Sequence, residues 1–436
     1  MTVPEVLPLA DDGLVYRLWR DGGFAMGGRR THRPLRSRGR RAHVRNPLQQ
    51  EGQRVTVPRG LLDGPIYLDY NATTPIDPVV TEAMLPYLTA EFGNPSSTHH
   101  YGRESRVAVD HARDQVAALL GTSAERIVFT GSGSEADNLA IRGTVLASGV
   151  DRPHVITQPT EHPAVLQACE ALRRRHNADV TFLPVDSNGL VDPDDLAAAI
   201  TPGTVLVSIM AANNETGALQ PIDELARVAR EHSVVFHTDA AQAIGKIPFD
   251  ATEYDLVTVV GHKMYAPKGI GALCIRPGVP LEPLVYGGGQ EHGLRAGTEN
   301  VALAVALGTA AELAAKDLAS GGYDRIRALR DRLHQLLVTA LPGRVHLNGP
   351  ETARLPNTLN ISIDGIVGHE LLDTTTEFAA STGSACHSGQ HEPSPVLTAM
   401  GMPSGRGLGA LRLSLGRWTT GEQIDQAAHH IIAAAS

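Results

Sequence analysis

The stretch that decides the reading of this chain is YDLVTVVGHKMYAPKGIG, Tyr254 to Gly271. Leu256–Val260 is an apolar run stopped by Gly261, the pattern of a strand covered on both faces of its sheet. His262 and Lys263 follow at once, then a Gly/Pro-rich turn, and a second short strand begins near Gly271. A lysine at the end of a buried strand is costly unless its amine has a partner or a reaction. The chain holds only four lysines (Lys246, Lys263, Lys268, Lys316), and arginine supplies every other basic residue. Arginine can neither lose its proton nor form an imine, whereas a desolvated lysine can do both. Lys263 is therefore the candidate Schiff-base lysine. The competing reading, a strand-end lysine that simply reaches solvent, fits Lys246 and Lys316 better.

The 436 residues allow two domains and a large core. No uninterrupted apolar stretch approaches membrane-spanning length, and no signal-peptide pattern opens the chain, so no membrane partner is expected. Three cysteines (Cys169, Cys274, Cys386) make no disulfide framework, which makes a reducing cytoplasm the default location. Net charge is −9, unevenly spread. Residues 1–60 hold twelve arginines against five acidic residues, about +7, so the remainder carries about −16 and gives no sign of a nucleic-acid footprint.

Residues 1–63 carry RRTHRPLRSRGRR and little hydrophobic periodicity. They read as a disordered Arg-rich leader or as the product of a start codon placed too early. A basic arm for nucleic acid or another anionic partner is the alternative; Asp11, Asp12 and Asp21 argue against an organelle transit peptide. Order is expected from Pro65. From there to about residue 280, short strands (126–129, 154–157, 205–210, 234–237, 256–260, 272–275) alternate with helical patterns (105–120, 134–147, 163–175, 222–232). That alternation predicts βαβ units around a large, mostly parallel sheet, an α/β fold. Long helices near 302–316 and 323–340 lead into a different rhythm. Strands at 345–347, 360–363 and 411–414 mix there with helices at 368–373, 394–400 and 421–434, which predicts a smaller α+β domain. The expected division is 80–318 for the large domain, with 64–79 and 319–436 forming the small one.

Ligands of open α/β sheets sit beyond the carboxyl ends of the strands, so the residues just past each strand are informative. The first strand runs into Thr130-Gly131-Ser132-Gly133-Ser134-Glu135, a small-residue turn opening a helix, where free N–H groups, a hydroxyl and the helix dipole suit a phosphate. His162 comes after the second at a helix entrance, Asn213 and Asn214 after the third, Asp239 and Gln242 after the fourth, and Lys263 after the fifth. Each has a bland reading, because His162, Asn213 and Asp239 could all be caps or turn formers. Five such groups at consecutive strand ends are less easily dismissed. A phosphate cradle, an imine-forming lysine and a strand-end aspartate are what pyridoxal 5′-phosphate requires, the aspartate keeping the ring nitrogen protonated.

Cys386 lies among small residues in STGSACHSG, Ser381 to Gly389, shortly before a helix. A cysteine in such a loop suits a nucleophile, and His387 could favour its thiolate. Cys169 shares a helix face with Val165, Leu166 and Leu172, and Cys274 lies within a strand, so both read as core. A metal site of Cys386, His387 and His391 lacks a usual zinc spacing and a fourth ligand, and no metal is expected.

LDYNATTP, FGNPSSTH, the TEH turn, ANNETG, HTDAAQAIGK, GHKMYAPKGIGAL, GGGQEHGLRAGTEN, RLPNTLN, GSACHSG and RLSLGRWTT occur in this order from about residue 65 onward. Together they closely resemble the cysteine desulfurases, pyridoxal-phosphate enzymes of the class V aminotransferase fold (fold type I). The resemblance does not cover the leader. ACHSGQHEPSPVL is also similar to the related selenocysteine lyases. The resemblance implies that Lys263 holds the cofactor covalently, that His162 stacks on its ring and takes part in proton transfer, and that Asp239 pairs with the ring nitrogen. It places Asn213 and Gln242 by the phenolic oxygen, and Gly133, Ser134 and His262 on the phosphate, with Thr298 reaching in from a second subunit of a homodimer. Arg412, with Asn213, would hold the substrate carboxylate. Cys386 would take the sulfur of L-cysteine as a persulfide, leave L-alanine, and pass the sulfur to an iron–sulfur scaffold or a tRNA-thiolation protein. Selenocysteine lyase and another class V aminotransferase are the rival activities, and a non-catalytic scaffold is a third possibility. One position departs from the pattern: where many desulfurases carry a phosphate-binding serine three residues before the lysine, this chain has Val260.

Overall fold

The computed structural model describes residues 57–383 and 392–436, all within one compact unit, Gly52–Ser436. Twelve strands run in chain order: β1 Ile66–Tyr67, β2 Ile127–Thr130, β3 His154–Thr157, β4 Asp179–Phe182, β5 Thr204–Ser208, β6 Val235–Asp239, β7 Leu256–Val260, β8 Gly271–Ile275, β9 Val345–Leu347, β10 Thr358–Ile363, β11 Phe378–Ala379 and β12 Ala410–Ser414. Seven of them form the large sheet in the order β2-β8-β7-β6-β5-β3-β4. Only β8 is antiparallel to its neighbours in this sheet, so the expected α/β architecture with a mostly parallel sheet is what the chain adopts.

Every residue of β7 is buried, as its apolar run requires of a strand with helices on both faces. Helix Gly133–Ala147 covers one face with Leu139 and Ala140, and helix His100–Leu119 brings Val109, Ala112 and Val116 to the core of the other. Against that helix lies Val301–Ala319, rich in alanine and seated close enough that a Cβ on Gly308 would fall 2.7 Å from Ala112 Cα. Only glycine permits that approach.

The C-terminal part builds a three-stranded antiparallel sheet, β12-β10-β9, and a two-stranded parallel pair, β1-β11. Strand β1 thus joins the early chain to the late one: Ile66 pairs with Phe378, and Ser414 N donates to Leu68 O at 2.7 Å. Helices Gly322–Ala340 and Gly421–Ala435 pack Ile326, Leu333, Leu337, Ile424 and Ile431 onto these sheets.

The leader reading falls mostly on residues 1–56, which lie outside the described residues. Order nevertheless begins before Pro65, with a short 3-10 turn at Arg59–Leu61 whose Leu61 packs beside Tyr70, Tyr265 and Trp418. Strand β4, unanticipated from sequence, is a half-exposed edge strand (DVTF) without a clean apolar alternation. No described helix is long and apolar enough to cross a membrane.

Candidate active site

A cavity of about 450 Å³ opens beyond the carboxyl ends of β2, β3, β5, β6 and β7. Its wall includes Gly133, Ser134, His162, Asp239, Gln242, His262, Lys263 and Arg412. Eight of the expected residues therefore meet in one place. Cys169 and Cys274 are buried core thiols, as expected.

Each wall residue is there for a local reason. Ser132 ends the turn after β2 and caps helix Gly133–Ala147 by accepting from Glu135 N at 3.1 Å, which leaves the N–H groups of the first turn facing the cavity. His162 caps helix Pro163–Arg175: its Nδ1 accepts from Ala164 N at 3.2 Å, and Pro163 fills the first helical position. The bland reading of His162 as a cap is thus correct, and so is its place on the wall. Capping also fixes the ring's tautomer, since an accepting Nδ1 leaves the proton on Nε2. Desolvation lowers the His162 pKa most; Asp239 opposes that and Lys263 adds to it.

Asp239 ends β6 and accepts from Ala241 N at 2.9 Å. Burial raises its pKa, while that hydrogen bond, His162 and Lys263 pull it back. Lys263 lies one turn beyond β7, and its Nζ donates to the backbone oxygens of Asn71 and Ala72, both at 2.7 Å. Desolvation and then Arg412 hold its amine down at about 8, against the pull of Asp239 and Asp69. His262 Nδ1 lies 3.2 Å from Thr73 Oγ1, and burial, with Lys263 next in weight, lowers its pKa to about 4. Arg412 on β12 is pinned by Asp69 Oδ1 at 2.7 Å and Asn214 O at 3.3 Å, while its buried Nε has no partner.

Four expectations need correction or restriction. The structure does not bring the Asn213 side chain to the wall. Its Oδ1 accepts from Glu215 N and Thr216 N, both at 2.9 Å, its Nδ2 donates to Thr160 O at 3.0 Å, and the neighbouring Asn214 lines the cavity instead. Lys246 does not reach solvent: it is 4% exposed, behind Gln242. Lys316 does, paired with Glu312 at 2.8 Å on a helix surface. Cys386, His387 and His391 lie outside the described residues; Ser381 and Gly383, just before them in sequence, are on the cavity wall. Thr298 is exposed and does not line this cavity. Among the described residues no cluster of metal ligands occurs.

Sequence reasoning missed several groups. Asn71 offers its carbonyl to both Lys263 and Gln242, although LDYNATTP carried the signal. Asp137, one turn into helix Gly133–Ala147, is 2% exposed; its Oδ1 accepts no hydrogen bond and lies 3.8 Å from His237 Nε2, and burial followed by Asp239 raises its pKa. Glu161 is buried under the same floor; its carboxyl is raised to about 8 by burial, against hydrogen bonds from Gln158 and Met210. Only their helical or turn spacing from Gly133 and His162 could have found them.

The residues present fit pyridoxal phosphate. Gly133 leaves the cradle room: a Cβ there would lie 2.3 Å from Val260 Cγ2. The donor set beside it (helix N–H groups, Ser134, His262) suits a phosphate, and Asp239 and Lys263 stand in the same cavity as acid and amine. Val260 is itself part of the wall, so the position where a serine is common holds an apolar contact instead.

Comparison with known proteins places the chain. The profile of the family "Aminotransferase class-V" matches residues 66–427. A cysteine desulfurase of Nostoc sp. is 50% identical over 365 residues, 83% of this chain and 90% of that protein. The mitochondrial cysteine desulfurase of Drosophila melanogaster is 45% identical over 409 residues, 92% of this chain and 85% of its own. Among solved structures, a NifS-like protein superposes with a TM-score of 0.79 at 36% identity, covering 85% of this chain and 98% of that one. SspA in complex with cysteine superposes with a TM-score of 0.72 at 35% identity, covering 81% and 100%. The chain belongs to the class-V aminotransferases, enzymes of the pyridoxal-phosphate fold type I, and within them to the cysteine desulfurase family.

Proposed function

We propose that this chain is a pyridoxal-phosphate-dependent cysteine desulfurase that converts L-cysteine to L-alanine and takes the sulfur onto Cys386. The observation that carries the reading is a half-buried amine, Lys263, just past the end of β7, in one cavity with the carboxylate that ends β6. Bound pyridoxal phosphate supplies an electrophilic carbon for an amine and a ring that takes up the electron pair of a substrate carbanion. The N–H groups at Gly133 and Ser134, with His262, hold its phosphate, and Asp239 keeps its ring nitrogen protonated. His162, on the same wall, would meet the cofactor ring with Nε2–H as its donor.

Lys263, with its pKa near 8, is neutral in a useful fraction at physiological pH and can accept the Cα proton of the substrate. Arg412 orients the substrate carboxylate; its Nε is unpaired, and Asp69 fixes the guanidinium plane. The Cys386 thiolate attacks the substrate sulfur. An S–S bond forms as the Cβ–S bond breaks, the electron pair leaves with the carbon, and proton uptake gives alanine. Cysteine plus thiol thus becomes alanine plus persulfide, with no outside oxidant.

We read residues 80–318 as the cofactor-holding domain and 64–79 with 319–436 as the domain that carries Arg412 and the cysteine loop. The large sheet falls in the first and both small sheets in the second. The working unit is a homodimer, Thr298 serving the neighbouring subunit, in a reducing cytoplasm with a protein sulfur acceptor. Incubating the purified protein with L-cysteine, and separately with L-selenocysteine, tests the reading. With a reducing thiol such as dithiothreitol present to release the persulfide sulfur, alanine and sulfide in equal amounts from cysteine are expected. Selenide without appreciable alanine from cysteine would make it a selenocysteine lyase, and a keto-acid product would make it an aminotransferase.

A further inference from the structure

The turn after β6 carries a buried amine that the proposed chemistry does not use. Lys246 is 4% exposed, and no carboxylate forms an ion pair with it among the described residues. Its Nζ donates to Gln242 Oε1 and lies 3.5 Å from Asn71 Oδ1. Burial, followed by the positive fields of Lys263 and Arg412, drives its pKa well below that of an ordinary lysine.

The neighbouring bonds fix what Gln242 can do. Gln242 is 3% exposed and stands on the cavity wall. Its Nε2 donates to Asn71 O at 3.0 Å, and a backbone carbonyl can only accept, so the amide's nitrogen end is assigned without ambiguity. The oxygen end is then occupied by Lys246. One Nε2–H remains unspent, the only polar atom Gln242 has left for the cavity. Asn71 O also receives Lys263 Nζ at 2.7 Å, so Gln242 and Lys263 hang from a single carbonyl. Asn71 is itself held rigidly: its Nδ2 donates to Thr358 Oγ1 at 2.8 Å and Asn214 O at 3.1 Å, its Oδ1 accepts from Asn357 Nδ2 at 3.0 Å, and its N donates to Ser414 Oγ at 2.9 Å.

We infer that Lys246 is a positioning residue that locks the Gln242 amide with its oxygen inward, so that Gln242 presents a hydrogen-bond donor, never an acceptor, to the ligand in the cavity. A donor in that place favours an electron-rich oxygen on the ligand, and the inference rests on pyridoxal phosphate being that ligand, through its phenolic oxygen. Without Lys246 the inward oxygen of Gln242 loses its partner inside the protein. A rotation that turns the oxygen to the cavity then sets acceptor against phenolate.

The test is spectroscopic and uses the full-length protein loaded with pyridoxal phosphate. A donor on the phenolic oxygen withdraws electron density from the lysine-linked group, so removing it raises the pH midpoint of the visible absorption change. Lys246→Met should move this midpoint up by about one pH unit, a tenfold change in proton affinity. Gln242→Ala should move it likewise, and adding Lys246→Met to Gln242→Ala should move it no further. An unmoved midpoint in Gln242→Ala overturns the inference even if Lys246→Met fails to fold. A shift of equal size from Lys246→Met in both backgrounds overturns it too, because Lys246 would then act by its own field and not through Gln242. If wild-type protein acquires no visible band with pyridoxal phosphate, the proposed function fails first, an outcome separate from either of these.

Discussion

Gly133→Ala should weaken pyridoxal phosphate binding, and Val260→Ala should restore it. The new Cβ would sit 2.3 Å from Val260 Cγ2, with Val260 Cβ and Cγ1 both at 3.5 Å. Carbon atoms pack at about 3.5 Å or more, so about 1.2 Å of separation must be found. Val260 cannot easily provide it, because a β-branched side chain on a buried strand has little rotamer freedom. The helix must move instead, and its first-turn N–H groups move with it. Overpacking of this kind costs about 1–3 kcal/mol, which predicts roughly 5- to 150-fold weaker binding if the strain falls on the cradle. Helix propensity alone would have alanine stabilise the position by about 0.5–1 kcal/mol, the opposite sign. Val260→Ala alone should bind within about threefold of wild type, and the double variant should recover most of the loss, a coupling of about 1–2 kcal/mol. Titration of the four apo-proteins with pyridoxal phosphate measures the cycle. Additivity within about 0.5 kcal/mol would refute the steric reasoning.

The remaining predictions concern the reacting groups and their surroundings. Lys263→Ala should leave no borohydride-fixed pyridoxal on the protein, and in wild type the rate of covalent attachment should climb as pH passes through about 8, where the amine loses its proton; a flat rate from pH 6 to 9 would count against that depressed pKa. Arg412→Lys should raise KM for cysteine about 10- to 100-fold with a smaller change in kcat, since a point charge replaces the fork that Asp69 holds flat; steady-state kinetics decide. Cys386→Ala should stop persulfide formation, read by mass spectrometry after cysteine exposure, while borohydride still fixes pyridoxal to Lys263. Glu215, buried against Ser394, has its carboxyl raised from 4.5 to about 7, mainly by burial. A raised carboxyl contributes stability that is fully present below about 4.5 and lost as pH rises through about 7, on the order of 3 kcal/mol. Glu215→Gln should therefore melt progressively higher than wild type between pH 5 and pH 8, and an equal difference at both pH values would contradict this.

What could be read from sequence was what the chain encodes locally. Strand β7 was legible because five consecutive residues are buried and a glycine stops them, and Lys263 followed from its place beside that stop. Gly133 and Asp239 were legible for the same reason, each within three residues of a strand end. Lys246 was misread because nothing near it tells that the turn after β6 folds inward onto Asn71, 175 residues earlier in the chain. Asn213 and Asn214 are indistinguishable in composition. The turn geometry alone decides that the first spends its amide on its neighbours and the second faces the cavity. The two-residue pair β1-β11 is too short to carry any periodicity, and only the distant pairing defines it.

That pairing has a consequence for how the protein is made. Asn71, whose carbonyl holds the reactive amine, is itself held by Thr358, Asn357 and Ser414, and Asp69 by Arg412. All four partners leave the ribosome near the end of synthesis. A nascent chain can complete the seven-stranded sheet, whose last residue is Ile275, while the segment at 69–72 has only part of its anchorage, through Asn214, Gln242 and Lys263. Through most of translation, then, the strand ends are in place while the segment that supplies the acceptors of Lys263 lacks its late anchors. A chain truncated before Arg412 keeps the whole large sheet but loses the ion pair on Asp69 and the Ser414 contact to Asn71, two of the bonds that steady the acceptors of Lys263.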